Sequence, residues 1–266
     1  MRRPPAALAA AAALALAAPA AHAGRPCEEK PPTLRQIEQG LDLAQATARQ
    51  LDASGAQVVV LARAGQDLSR YGLQWSHLGF AYKDGSQQPA VWRVLHKLNQ
   101  CGTDHAALFR QGLGEFFLDN PHRYDAAFAV LQPALQQALL PVLADNARAA
   151  RFHERRYSMV AYAFGTRYQQ SNQWVLETLA GAAAPAVASR RAAQDWARAQ
   201  GYQPTDLRLS ALTRLGGRLT QANIAFDDHP AARRMTRHID TVTADSMFAW
   251  LPRAGLAHPP QPVAQP

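Results

Sequence analysis

The sequence predicts an α+β protein in which an antiparallel sheet is packed with helices. Three observations carry this. Val58-Val59-Val60-Leu61 is an unbroken β-branched run, the pattern of a strand buried on both faces. His77–Tyr82 and Val91–Leu98 are apolar segments joined through Lys83-Asp84-Gly85-Ser86, whose Asp-Gly pair favours a tight reversal and so an antiparallel pair. Between such runs lie segments of helical period with recognisable caps and stops.

The chain of 266 residues opens on Arg2-Arg3, an apolar stretch from Ala6 to Ala18, and Ala21-His22-Ala23. That order of basic start, apolar core and small-residue cleavage pattern predicts a secretory signal peptide over residues 1–23, too short to span a bilayer. Export to the periplasm is the expectation, with no stable membrane insertion. Thr33 caps a predicted helix running to about Leu51, with Leu34, Ile37, Leu41, Ala44, Ala48 and Leu51 on one face. Residues 63–71 read as a loop, and residues 102–120 as irregular or partly helical. Phe128–Leu131 reads as a strand, and Pro133–Leu140 as a helix that Pro141 breaks or kinks.

Tyr157–Phe164 is apolar and fits either a strand or a helix. Ser171 sits in N-cap position of a helix reaching about Ala183, where Asn172, Gln173 and Glu177 are expected to be exposed and Trp174 to be core. Ser189 opens the next helix, closed by Gly201. Leu207–Leu215 reads as another helix, Arg218–Phe226 as a strand, Asp227-Asp228-His229-Pro230 as a turn, and Ile239–Thr243 as β-rich. The organisation is then a leader over 1–23, one α+β domain over 24–252, and a disordered Pro/Gln-rich tail over 253–266.

The formal charge is +8, from 28 basic and 20 acidic residues, and the leader accounts for two of the positive charges. The arginines are dispersed, without a stripe interleaved with aromatics, and together with export this argues against a nucleic-acid partner. A weak attraction to anionic wall polymer or a membrane surface is compatible with that charge. The two cysteines, Cys27 and Cys101, suggest one disulfide in an oxidising compartment, worth about 4–5 kcal/mol by loop entropy. They lack the spacing of a metal site, and no cofactor motif is present. Phe116, Phe117 and Tyr124 form an aromatic loop that a structural accessory protein could dock on a partner.

The residue types that carry chemistry are His77, at the start of one paired strand, His96, near the end of the next, and Ser171, at a helix start. A hydroxyl beside an imidazole that is itself oriented by a third group is the arrangement of nucleophilic catalysis. Ser76-His77-Leu78-Gly79-Phe80, the later His96, and Ser171-Asn172-Gln173-Trp174-Val175-Leu176-Glu177 resemble the circularly permuted papain-like superfamily, which holds NlpC-type wall hydrolases and lecithin:retinol-acyltransferase-like proteins. More narrowly, Gly65-Gln66-Asp67-Leu68-Ser69, Leu98-Asn99-Gln100-Cys101 and Asp227-Asp228-His229-Pro230 resemble the bacterial family called domain of unknown function 2145. The resemblance implies a permuted papain-like fold with His77 as general base, His96 as its orienting partner and Ser171 at the nucleophile position. It also implies a hydrolase or acyl/amide transferase acting on cell-wall peptide or lipid, or an inactive binding module that keeps the cleft. The superfamily has cysteine where this chain has Ser171, and Gln170 stands where asparagine is usual. A hydroxyl, unlike a thiol, needs its proton removed during attack.

Overall fold

The structure, a computed structural model, describes residues 31–264. The leader and Cys27, and with Cys27 the expected bridge to Cys101, lie outside the described residues. Helix α1, Leu34–Ala53, starts at Thr33, whose side chain accepts from the Gln36 N–H while the Gln36 side chain answers the Thr33 N–H. Its buried side is Gly40, Leu43, Ala44, Thr47 and Leu51. Leu34 and Leu41, expected on that side, are 80% and 48% exposed. Small residues set the seam: a Cβ at Gly40 would stand 2.8 Å from Leu118 Cδ2, so the helix lies too close to its neighbour for a leucine stripe.

A six-stranded antiparallel sheet follows, ordered β4-β3-β2-β1-β5-β8. Its strands are β1 (Val58–Arg63), β2 (His77–Asp84), β3 (Val91–Asn99), β4 (Ala106–Gly112), β5 (Ala126–Val130) and β8 (Gln261–Pro262). β1 is central and buried at all six positions, which is why its sequence does not alternate. β2 and β3 pair as expected, with Ala81 opposite Val94. β4 lies where irregular structure was expected. It is an edge strand whose apolar start, Ala106–Phe109, gives way to Arg110 and Gln111, a mixed pattern without β-branched residues.

Alternation along the strands divides the core. Val59, Leu61, Ala81, Trp92, Val94 and Phe128 face α1 and the short helix α2, Leu113–Phe117. Val58, Val60, Leu78, Phe80 and Leu95 face the other helical layer, built from α3 (Pro133–Ala144), α5 (Ser171–Ala183) and α9 (Ala244–Arg253). The one-turn helix α4, Asn146–Ala149, links that layer to the following loop. Phe116 and Phe117 are 0% exposed, so the aromatic docking loop is instead core beneath α1.

α3 continues through Pro141 because the turn beyond it places Leu143 in the core beside Leu139. Tyr157–Phe164 is neither strand nor helix. Its backbone is satisfied from outside: the Gln173 amide donates to Tyr162 O, Ala163 O and Gly165 O at 3.2, 3.3 and 3.2 Å, and Asp228 Oδ2 accepts from Tyr162 N at 2.8 Å. Ser189 caps α6, Arg190–Ala199, as expected.

Beyond α6, the expected helix over Leu207–Leu215 and strand over Arg218–Phe226 resolve differently. Strand β6 (Thr205–Arg208) pairs with β7 (His238–Thr241), and helices α7 (Ala211–Thr220) and α8 (Ala231–Met235) lie between them. Ser210 caps α7 and splits the run that had suggested one helix. The tail is ordered rather than disordered over its described part. The N–H groups of His258 and Val263 donate to Val130 O and Ala126 O at 2.8 and 2.9 Å, and Val263 is buried, because β5 would otherwise be an open edge.

Candidate functional site

β2 opens on His77, and β3 carries His96 on the same sheet face. The two imidazoles meet at 2.8 Å, His77 Nε2 to His96 Nδ1. His96 Nε2 lies 2.7 Å from Gln111 Oε1 on β4, and the Gln111 amide donates to Glu115 Oε1 at 3.0 Å. Gly79 makes room for the pair, since a Cβ there would stand 3.0 Å from His96 Cβ and 2.7 Å from Val94 Cγ1. The Phe116 ring lies 5.1 Å from His96 and 6.1 Å from His77, and Arg63, bonded to Phe116 O and Asp119, stacks on that ring.

This line has a direction. Glu115 accepts from Gln111 Nε2, which turns the amide oxygen toward His96. His96 must then present Nε2–H to that oxygen, so its Nδ1 is an acceptor. His77 therefore presents Nε2–H to His96, and its Nδ1 carries the lone pair. Burial, followed by the Arg63 charge, lowers both histidines: His77 well below the ordinary imidazole value, and His96 to about 3 against a small opposing effect of Gln111. The pair is neutral at pH 7. His77 keeps 9% of its surface and His96 none, so solvent reaches the line from the His77 end.

Ser171 is the first residue of α5, and its cap is Gln170, whose side chain accepts from Asn172 N at 2.9 Å. Ser171 is thus not the N-cap. Gln170, with both an amide donor and an acceptor, also ties to Val242 O and so outcompetes it. Ser171 is 6% exposed, and its side chain faces the Tyr157 phenol, whose pKa is raised by burial with Ser171 opposing the rise. The structure brings His77 and His96 together and places Ser171 against Tyr157 rather than either imidazole. The body of α5 packs on the opposite sheet face from the histidines. Its N-terminus reaches β2 next to His77, where Asn172 Oδ1 accepts from Leu78 N at 2.9 Å. The β2–β3 ladder begins only at Phe80 opposite Leu95, so the helix end closes the gap at the mouth of the sheet.

On the α5 side, Asn172, Gln173 and Glu177 are buried, not exposed, because the first turns of α5 are covered all round. Lys97 is 0% exposed, donates to Glu154 O at 2.6 Å and Gln169 Oε1 at 2.7 Å, and is lowered to about 7 by burial and Arg190. Gln169 in turn donates to Glu177 at 2.5 Å. Gln194 and Arg190 also donate to Glu177, at 2.6 and 2.7 Å. This network fixes the irregular segment before Ser171. Gln111, Tyr157 and Lys97 carried no recognisable signal: only the three-strand register shows that Gln111 shares a face with His96. Asp228 and His229 pair at 3.0 Å and hold the Tyr162 loop.

A family model of uncharacterized proteins conserved in bacteria, DUF2145, matches residues 50–251. The chain belongs to this family. The match takes in β1 through α9, and with them His77, His96, Gln111 and Ser171, so the whole histidine line is part of the DUF2145 region. No curated protein and no solved structure matches the chain.

Proposed function

We propose that the chain is an exported, papain-like envelope protein with an acyl-transfer site, a hydrolase or an acyl/amide transferase acting on cell-wall peptide or lipid. The leader over residues 1–23 would deliver it to the periplasm, where a Cys27–Cys101 bridge would form. One observation carries the reading: the Glu115–Gln111–His96–His77 line holds one tautomer and leaves His77 Nδ1 as a proton acceptor, while the next residue, Leu78, donates its N–H to Asn172 in the first turn of α5. In the proposed step, the Ser171 oxygen attacks an ester or amide carbonyl carbon as its proton passes to His77 Nδ1. The proton is then given to the leaving alcohol or amine as the acyl–oxygen or acyl–nitrogen bond breaks, and water or an acceptor amine releases the acyl group. His96 spreads the charge that develops on His77, and Gln111 orients His96. The step requires the Ser171 hydroxyl to leave Tyr157 and the start of α5 to move against β2 until that oxygen reaches His77 Nδ1.

A fluorophosphonate that labels Ser171, with labelling lost in His77→Ala and Ser171→Ala, is the expected result. Ser171→Cys should then react with iodoacetamide faster than an exposed thiol. A second reading, a module that binds an envelope peptide or lipid without turnover, is favoured by the 6% exposure of Ser171 and its side chain facing Tyr157. Wild-type protein that resists the fluorophosphonate, with Ser171→Ala equally stable, would select it.

A further inference from the structure

The lobe formed by β6, α7, α8 and β7 exposes apolar side chains between arginines. Leu212 and Leu215, one turn apart on α7, are 80% and 54% exposed, and Met235 at the end of α8 is 89% exposed. Arg214 and Arg218 flank the leucines, and Arg214 donates to Arg234 O at 2.8 Å, which fastens the two helices side by side. The opposite side of α7 is the packed one, since a Cβ at Gly217 would stand 3.3 Å from Ile224. At the foot of the lobe, Arg208, Leu209, Ser210, Thr236, Arg237 and His238 line a cavity of about 460 Å³. Leu209 N donates to Arg237 O at 2.8 Å, so the strand ends bring both arginines to one opening. Asp206, the carboxylate near this opening, is taken by His238 at 2.7 Å.

We infer that this lobe docks on a membrane surface, with Leu212, Leu215 and Met235 entering the headgroup boundary and Arg208 and Arg237 holding the phosphodiester of an anionic phospholipid in the cavity. Apolar tips ringed by arginines suit that boundary, because guanidinium groups bind phosphate through paired N–H groups while their stems lie along the acyl region. A soluble partner protein would explain the apolar tips but not the cationic cavity beside them. Among the described residues no helix is long and apolar enough to cross a membrane. The inference does not rest on the acyl-transfer reading.

The test uses the full chain carrying Leu212→Cys labelled with an environment-sensitive dye, and a control label at Leu34, which is also 80% exposed but lies on α1. With phosphatidylglycerol in phosphatidylcholine vesicles, the Leu212 dye should shift to the blue and the Leu34 dye should not. Arg208→Ala/Arg237→Ala should weaken the response by roughly fivefold per arginine, and salt should weaken it in the unmutated protein without any change of fold. No shift at Leu212, an equal shift on phosphatidylcholine alone, or displacement by soluble glycerol phosphate as readily as by vesicles would each overturn the inference. The last would leave a small-anion site.

Discussion

His96 and Lys97 are consecutive residues of β3, and the alternation of the strand sends them to opposite faces of the sheet. His96 enters an apolar layer with Phe116 on it, and its partners, His77 and Gln111, are uncharged. Lys97 enters a layer where a buried carboxylate, an arginine and two amides form a closed set around Glu177. Both groups are completely buried and burial disfavours the charged form of each, but the Lys97 layer supplies a counter-charge in Glu177. A neutral, directionally hydrogen-bonded pair is suited to receiving a proton. A network in which the carboxylate of Glu177 is bonded from three sides holds a loop in place, and here that loop leads into Ser171.

The network side should be the more costly to damage. Glu177→Ala leaves Arg190 and Lys97 in a dry layer without a carboxylate, and loss of one partner of a buried pair costs about 3–5 kcal/mol. Denaturant unfolding should show that loss, with Glu177→Gln well short of it. An equal, small effect of both substitutions would mean that the carboxylate charge is not what the network uses.

The histidine side should respond to acid instead. In the unfolded chain an imidazole takes up its proton below about 6.5, whereas folded His96 does so only near 3, so the unfolded state binds more protons across that window. The stabilisation is fully present above 6.5 and is lost as pH falls toward 3, at about 1.4 kcal/mol per pH unit for each histidine. His96→Asn should flatten the acid limb measured by thermal unfolding. A limb that keeps its slope would place the titration elsewhere.

Much of the sheet is legible in the residues, because β1, β2 and β3 announce themselves by burial on both faces or by a turn between two apolar runs. What the residues do not announce is long-range capture. β4 is an edge strand whose short apolar start, Ala106–Phe109, has no β-branched residue and turns polar at Arg110, and the tail becomes β8 only because β5 has an unpaired side. The pairing of His77 with His96 follows from strand parity and is readable in advance. The position of Ser171 is not, since Gln170, the motif position that departs from asparagine, takes the cap, and Tyr157, far outside the motif, faces its side chain.

A smaller change tests whether the histidine layer needs its empty space. In Gly79→Ala the new methyl would press on Val94 and His96, and overpacking of this kind costs about 1–3 kcal/mol. The pressure falls on His96 at its Cβ, so a shift there should carry the ring with it, lengthen the 2.8 Å contact with His77 and lower fluorophosphonate labelling more than stability. Loss of stability with labelling intact would show that the space serves packing alone.

The smallest expected effect on stability is also the sharpest on the direction of the line. Gln111→Leu removes two hydrogen bonds at a half-buried edge strand, to His96 and to the exposed Glu115, a loss of about 0.5–1.5 kcal/mol for each. With no acceptor at His96 Nε2, nothing holds its proton there, and both imidazoles are free to exchange tautomers. Nitrogen-15 spectra should then show His77 Nδ1 changing from an unprotonated signal to an averaged one, and labelling at Ser171 should drop in proportion to the lost fraction. Gln111→Glu replaces the amide by an acceptor that keeps the His96 proton in place, so it should restore the unprotonated Nδ1 signal even though it adds a charge beside Glu115. If His77 Nδ1 stays unprotonated in Gln111→Leu, the tautomer is set at the His77 end, by its approach to α5, and β4 is a bystander to the chemistry.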